Sequence, residues 1–333
     1  RHPNVVATLD VVDTGAELVI VMEYVHGETL SALCELARDR GERVPVDVAV
    51  ALMGGALRGL SAVHRACDER GALLGLIHRD VSPHNILCGI HGVARLADFG
   101  LATAAGHTPL SNPAEFKGKL TYASPEQVQL RPLTLASDLY SVGVILWELF
   151  SGQRLYRELT APELVARLLY GEVPSLSALE PALPAGLAEV VERALARDST
   201  RRFHSALEMA AALEACVRPA SVEDVAQWLC GLARRSLDER AAEVMLAESD
   251  TTPSQRGASL LANADGNAEG AAARRPVEGA RDTDGAHPSK VGASLRGLSL
   301  RVLAMAAGVS LILFAGARWR AVSSGPRAPQ PAG

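Results

Sequence analysis

The stretch "LIHRDVSPHNILCGIHGVARLADFG", residues 76–100, decides how the rest of the chain is read. Asp80 and Asn85 sit on a loop that runs into the apolar strand "ILCG". A turn at "IHG" reverses the chain, and "VARLADF" returns antiparallel, delivering Asp98 beside Asn85. An aspartate and an amide oxygen brought together make a hard-oxygen set suited to Mg²⁺. Asp80 is left nearby as a carboxylate that can orient a hydroxyl and take its proton. Charge neutralisation by a metal and a carboxylate to position the nucleophile are what phosphoryl transfer requires.

On both sides of this stretch the pattern is mixed strand and helix. "ELVIVMEYV" (17–25) has the composition of a buried strand. "TLSALCELARDRG" (29–41) has helical spacing and stops at Gly41. "VPVDVAVALMGGALRGLSAVHRA" (44–66) is a second helix with Pro45 near its start. "LASDLYSVGVILWELFSG" (135–152) is apolar on nearly every face, which predicts a buried central helix. Three helical patterns follow in "APELVARLLYG", "AGLAEVVERALARD" and "SALEMAAALEACV". The chain has 333 residues, consistent with one large or two smaller domains. Its net charge of −5 argues against a general nucleic-acid binder. The five cysteines have no metal-knuckle or redox spacing and read as buried small hydrophobes in a reducing cytosol.

With these residues in place, the chain resembles the eukaryotic-like protein kinases. "HRDVSPHN" and "DFG" are similar to that family's catalytic and metal loops. "SPE" (124–126) resembles its A-P-E, "SDLYSVGVILWELFSG" its central helix and "DSTRRF" its late arginine motif. "RHPNVV" resembles the segment after its first helix, and "VMEYVHGETL" its hinge. The resemblance covers residues 1–217 and implies an α+β protein-kinase fold: a mainly helical C-lobe, with only the last strands of the N-lobe present. It implies Asp80 as catalytic base, and Asn85 and Asp98 as holders of Mg²⁺. Met22 would be the gatekeeper, the backbones of Glu23 and Val25 would meet the adenine of ATP, and Leu87 would lie beneath it. Asp138 would brace the catalytic loop, and Glu126 would pair with Arg202 in a buried ion pair. Arg79 would either receive a phosphate from the segment carrying Thr108, Ser111 and Thr121, or simply brace its loop. His78 would be structural, packed against Phe99.

The sequence departs from the family pattern in two places. No G-x-G-x-x-G loop and no strand lysine precede the hinge, since the lysines are Lys117, Lys119 and Lys290. The chain opens on "RHPNVVATLD", which reads as a truncation and as a fragment unable to transfer phosphate at a normal rate. Ser82 stands where many serine/threonine members carry a lysine, while Lys119 stands where the family has a threonine. Either Lys119 supplies the missing ammonium from the opposite wall, or it is a solvated loop residue.

Beyond the kinase-like region, 218–248 reads as an amphipathic helical appendage and 249–297 as a disordered linker. "LSLRVLAMAAGVSLILFAGARWR" (298–320) is apolar and long enough for a transmembrane helix, leaving a short tail at 321–333. Expected is a single-pass inner-membrane protein with its kinase domain in the cytoplasm, where ATP is available. It would act on protein substrates, with no nucleic acid as partner. The alternative is a pseudokinase, a membrane-anchored scaffold using the appendage as its partner helix.

Overall fold

The first half of the chain runs through three short strands, two α-helices and two more strands before its later helices. The computed structural model describes residues 1–13, 17–98, 120–249, 299–306 and 309–313. The order opens with Thr8–Asp13 (β1), Glu17–Glu23 (β2) and Gly27–Thr29 (β3). Thr29 then caps Leu30–Asp39 (α1) by accepting a hydrogen bond from the Ala32 amide, and the chain leaves the helix through Gly41 at φ +70°. Val46–His64 (α2) starts at Pro45, whose missing N–H costs nothing at a helix start. Ile86–Gly89 (β4) and Ala94–Leu96 (β5) follow.

Seven further α-helices follow among the described residues: Pro125–Val128 (α3), Leu135–Ser151 (α4), Ala161–Tyr170 (α5), Leu176–Leu179 (α6), Leu187–Ala194 (α7), Ala206–Cys216 (α8) and Val222–Ser249 (α9). α4 has scarcely an exposed face and ends at Gly152, whose left-handed φ of +66° lets the Glu148 carbonyl accept the last amide. It is the axis of a core to which α1, α2, α7 and α8 contribute Leu33, Leu57, Val191 and Met209.

The chain divides into two units. The first comprises residues 1–8 and 22–242 and contains the antiparallel sheet β3-β4-β5, with Thr29 opposite Leu87 and Ile86 opposite Leu96. The segment "HPNVV" joins this sheet: Val6 N–H donates to the Leu96 carbonyl at 2.9 Å and Leu96 N–H to the Asn4 carbonyl at 2.8 Å. α9 up to Ala242 belongs to the same unit, and its inner stripe of Val225, Leu229, Leu232, Ala233 and Leu237 enters the shared core. The appendage is therefore packed against its own domain, because that stripe recurs at helical spacing.

The second unit, residues 9–21 and 243–333, holds a four-stranded sheet in the order β1-β2-β6-β7. Here the structure differs from the expected transmembrane helix over 298–320. Ser299–Ala306 (β6) and Val309–Leu313 (β7) pair antiparallel, with Val302 opposite Leu313. An unbroken apolar run carries no period that separates a buried strand from a helix, so composition alone left the element type open. Among the described residues one helix, α2, is long and apolar enough to cross a membrane, and most of it is buried in the core. The linker expected over 249–297 lies outside the described residues, apart from Ser249, which ends α9.

Candidate active site

The centre of the site is a buried carboxylate. Asp138, in the first turn of α4, is 1% exposed. Its Oδ2 accepts from the His78 amide at 2.9 Å and lies 2.7 Å from His64 Nε2, while its Oδ1 accepts from the Arg79 amide at 2.8 Å. Arg79 has φ +69°, a left-handed conformation unfavourable for a residue with a Cβ. The carboxylate holds that turn in place by engaging the two consecutive amides His78 and Arg79.

His78 is fully buried and fixes the other side of the loop. Its Nε2 lies 3.1 Å from the Ala97 carbonyl, and its Nδ1 faces the Asp80 N–H at 3.4 Å. The ring must therefore carry its proton on Nε2 and accept at Nδ1. Burial pushes its pKa below the ordinary histidine value, against the opposing charges of Asp138 and Asp80. His78 is thus a neutral spacer between the Asp80 loop and the end of β5. Its expected neighbour Phe99 lies outside the described residues.

The oxygen-bearing residues are organised by backbone bonds. The Asn85 side-chain amide donates to the Asp80 carbonyl at 2.7 Å, which leaves its Oδ1 as the remaining acceptor. Ala97 N–H donates to the Asn85 carbonyl at 2.9 Å, so Asp98 is the next residue along from a fixed contact with Asn85. Asp98 has φ +59°, turning the chain where β5 has ended. The donor set is an amide oxygen and a carboxylate, with no nitrogen or sulfur. Mg²⁺ takes one or two protein oxygens and fills its remaining positions with water and phosphate, so these residues fit it. Among the described residues no group of three or more His, Cys, Asp or Glu side chains could hold a metal.

On the hinge side, Met22 and Glu23 end β2, and Val25 precedes β3. Glu23 N–H donates to the Ala7 carbonyl at 2.9 Å. Its carboxylate accepts from the Ala7 amide at 3.0 Å and from Arg95 at 3.1 Å, a clamp that sequence reasoning missed. Leu87 is half-buried in β4, opposite Thr29.

The segment after residue 119 is tied to the same loop. Ser124 and Gln127 form a capping box at α3, and Gln127 Nε2 also donates to the Arg79 carbonyl at 2.8 Å. Tyr122 is buried and donates to Glu148 of α4 at 2.9 Å, with Arg154 bonded to both. Glu126 meets Arg202 in a bidentate pair at 2.7 and 3.1 Å. Arg202 is 1% exposed and also donates to the carbonyls of Ala136, Ala196 and Arg197. Burial alone would raise the Glu126 carboxyl, but the hydrogen bonds and charge of Arg202 outweigh it and hold the pKa below the usual range.

Thr121 is half-buried beside this segment, while Lys119, Thr108 and Ser111 lie outside the described residues. Ser82 is buried, and its carbonyl accepts from the Asn85 amide at 3.0 Å. The cysteines are less uniform than their composition suggested. Burial raises the Cys34 thiol to about 11, and Cys88 is enclosed, yet Cys67 is exposed on the excursion that follows α2.

Residues 1–212 match the protein kinase domain family. The chain belongs to the protein kinase family. Serine/threonine-protein kinase PknA of Corynebacterium glutamicum is 35% identical over 196 residues, covering 59% of this chain and 39% of that one. Serine/threonine-protein kinase PknL of Mycobacterium tuberculosis is 37% identical over 210 residues, covering 63% and 50%. Tyrosine-protein kinase MasK of Myxococcus xanthus is 31% identical over 213 residues, covering 64% and 33%. This kinase chain spans half or less of the length of each of these relatives.

Proposed function

We propose that this domain serves transfer of the γ-phosphoryl group of ATP to serine or threonine hydroxyls of proteins. The observation that carries the reading is the joint fixation of Asp80, Asn85 and Asp98 by the Asn85–Asp80, Ala97–Asn85 and Asp138–Arg79 bonds. In this reading the Asp80 carboxylate orients the substrate hydroxyl and accepts its proton. The hydroxyl oxygen bonds to the γ-phosphorus as the bond to the β–γ bridging oxygen breaks, releasing ADP. Asn85 and Asp98 would hold Mg²⁺, which would supply positive charge to offset that of the phosphates. Met22, the backbones of Glu23 and Val25, and Leu87 frame the adenine. Glu126 and Arg202 support the protein-substrate platform, and Arg79 receives an activating phosphate on Thr108, Ser111 or Thr121. Lys119 takes the place of the lysine absent at Ser82. The names of PknA and PknL support the serine/threonine preference.

The 333 residues contain no G-x-G-x-x-G and no lysine before Lys117, so we propose that by themselves they transfer phosphate poorly. The alternative is a pseudokinase acting as a membrane-anchored scaffold; a partner helix made of α9 would have to use its outer face, because the inner stripe is buried in its own domain. We also propose membrane attachment through residues 298–320, whose stretch Val302–Ala317 carries no charge, with the kinase domain on the cytoplasmic side, where ATP is available.

The test compares this chain with a version extended by a Gly-rich loop and strand lysine, using labelled ATP and a generic protein substrate. Transfer to serine and threonine is expected from the extended version, falling by roughly 10²–10⁴-fold in Asp80→Asn. Equal turnover by both versions would remove the dependence on the small lobe. Phosphotyrosine as the main product would overturn the acceptor assignment.

A further inference from the structure

Glu28 is a carboxylate that nothing in the catalytic reading uses, yet it is 2% exposed. It lies in the middle of β3, opposite Cys88 of β4. Among the described residues its counter-charge is Arg240 of α9, whose Nη2 lies 2.9 Å from Oε2. The geometry falls short of an aligned hydrogen bond, so the attraction is carried by charge at close range. The same guanidinium donates through Nη1 to the Gly27 carbonyl at 3.0 Å. One side chain from the C-terminal helix therefore grips two successive residues of the strand that follows the hinge.

The rest of α9 is built to deliver that grip. Ser221 caps its first turn by accepting from the Asp224 amide at 3.1 Å. Near this end the helix backbone runs so close to the β4–β5 turn that a Cβ on Gly92 would stand 1.9 Å from the Val222 carbonyl oxygen. In the middle, Arg40 beyond α1 donates to the Gly231 and Leu232 carbonyls. α9 is thus pinned at Gly92, at Arg40 and at Gly27–Glu28, along one side of the small sheet. That sheet sets two parts of the nucleotide frame. β3 starts two residues after Val25, and its register places Thr29 opposite Leu87. Ile90 N–H donates to the His26 carbonyl at 2.9 Å, joining the hinge exit to the end of β4.

We propose that Arg240 is a positioning residue for the nucleotide site, holding β3, and through it Val25 and Leu87, from outside the catalytic core. The nucleotide part rests on the kinase reading above; the positioning part does not. A buried carboxylate stripped of its partner is strongly destabilising where it sits, so loss of Arg240 is felt first in β3. The half-exposed arginine head costs less to desolvate than a buried one, which makes it a workable remote anchor.

Hydrogen exchange on the whole 333-residue chain tests this. In Arg240→Ala, peptides covering 22–30 and 86–90 are expected to exchange about tenfold faster, while those from α4 and α8 keep wild-type rates. ADP affinity is expected to fall several-fold and to recover in part with Arg240→Lys, which restores the charge without the fork. A Glu28→Gln/Arg240→Gln double variant, which leaves no buried charge, covers the case in which Arg240→Ala fails to fold; local loosening of the same peptides is expected there too. Unchanged exchange at 22–30 and 86–90 overturns the proposal, and so does uniform acceleration that includes α4. If the wild-type chain binds no ADP, the nucleotide reading fails, and exchange alone decides the positioning role.

Discussion

Two buried carboxylates anchor this domain in opposite ways. Asp138 is met by the amides of His78 and Arg79 and by the ring of His64, so both its oxygens are engaged at close range. Glu28 is equally enclosed but depends on one half-exposed arginine from a helix more than 200 residues later in the chain. A carboxylate bound by backbone amides moves only if the loop it organises moves. One bound by a single long side chain can be released without unfolding the core. The loop that carries Asp80 is thus built to be rigid, and β3 is built to be held.

The strongest way to break this comparison is Asp138→Ala. It leaves the buried amides of His78 and Arg79 without an acceptor, and Arg79 without support for its positive φ. A loss of about 3 kcal/mol or more is expected in urea unfolding. A loss under ~1 kcal/mol would show that water replaces the carboxylate. Glu28→Gln sharpens the contrast from the other side. It removes the buried charge while keeping the shape, so its expected cost is about 1 kcal/mol or less on the same measurement. A cost equal to that of Asp138→Ala would mean the two anchors are alike.

The gentlest perturbation is pH. Burial holds the His78 pKa below its ordinary value of about 6.5, so the unfolded chain takes up this proton before the folded one does. The contribution of a neutral His78 is fully present above about pH 6.5 and declines as the pH falls below it. Unfolding midpoints between about pH 7.5 and 5.5 should therefore decrease, with a smaller decrease in His78→Phe. An identical slope in the variant would assign the acid sensitivity to another group.

What could be read from sequence follows the same division. Asp80, Asn85 and Asp98 stood out as a group because phosphoryl-transfer chemistry asks for those residue types at that spacing, and Asp138 stood out only by resemblance. The Glu126–Arg202 pair was legible by resemblance. His64, Gln127 and Arg240 were not, since each acts through a partner far away in sequence: Asp138, the Arg79 carbonyl and Glu28. A histidine ending an apolar helix, a glutamine after "SPE" and an arginine in a charged stretch carry no local sign of such partners. β3 escaped because its three residues are too short for any alternation to register. The run 298–320 suggested a helix from the charge-free length at its centre, whereas its described parts pair as strands, since composition cannot choose between the two when both would be buried.

Arg202 also sets a timetable. Glu126 leaves the ribosome 76 residues before the arginine that neutralises it, and the Ala136 carbonyl precedes that arginine by 66. At ordinary rates of synthesis this separation amounts to roughly 4–15 s. Throughout that interval α3 and the start of α4 lack the cation around which they close. The nascent large lobe must therefore wait, open at that corner, until "DSTRRF" has emerged.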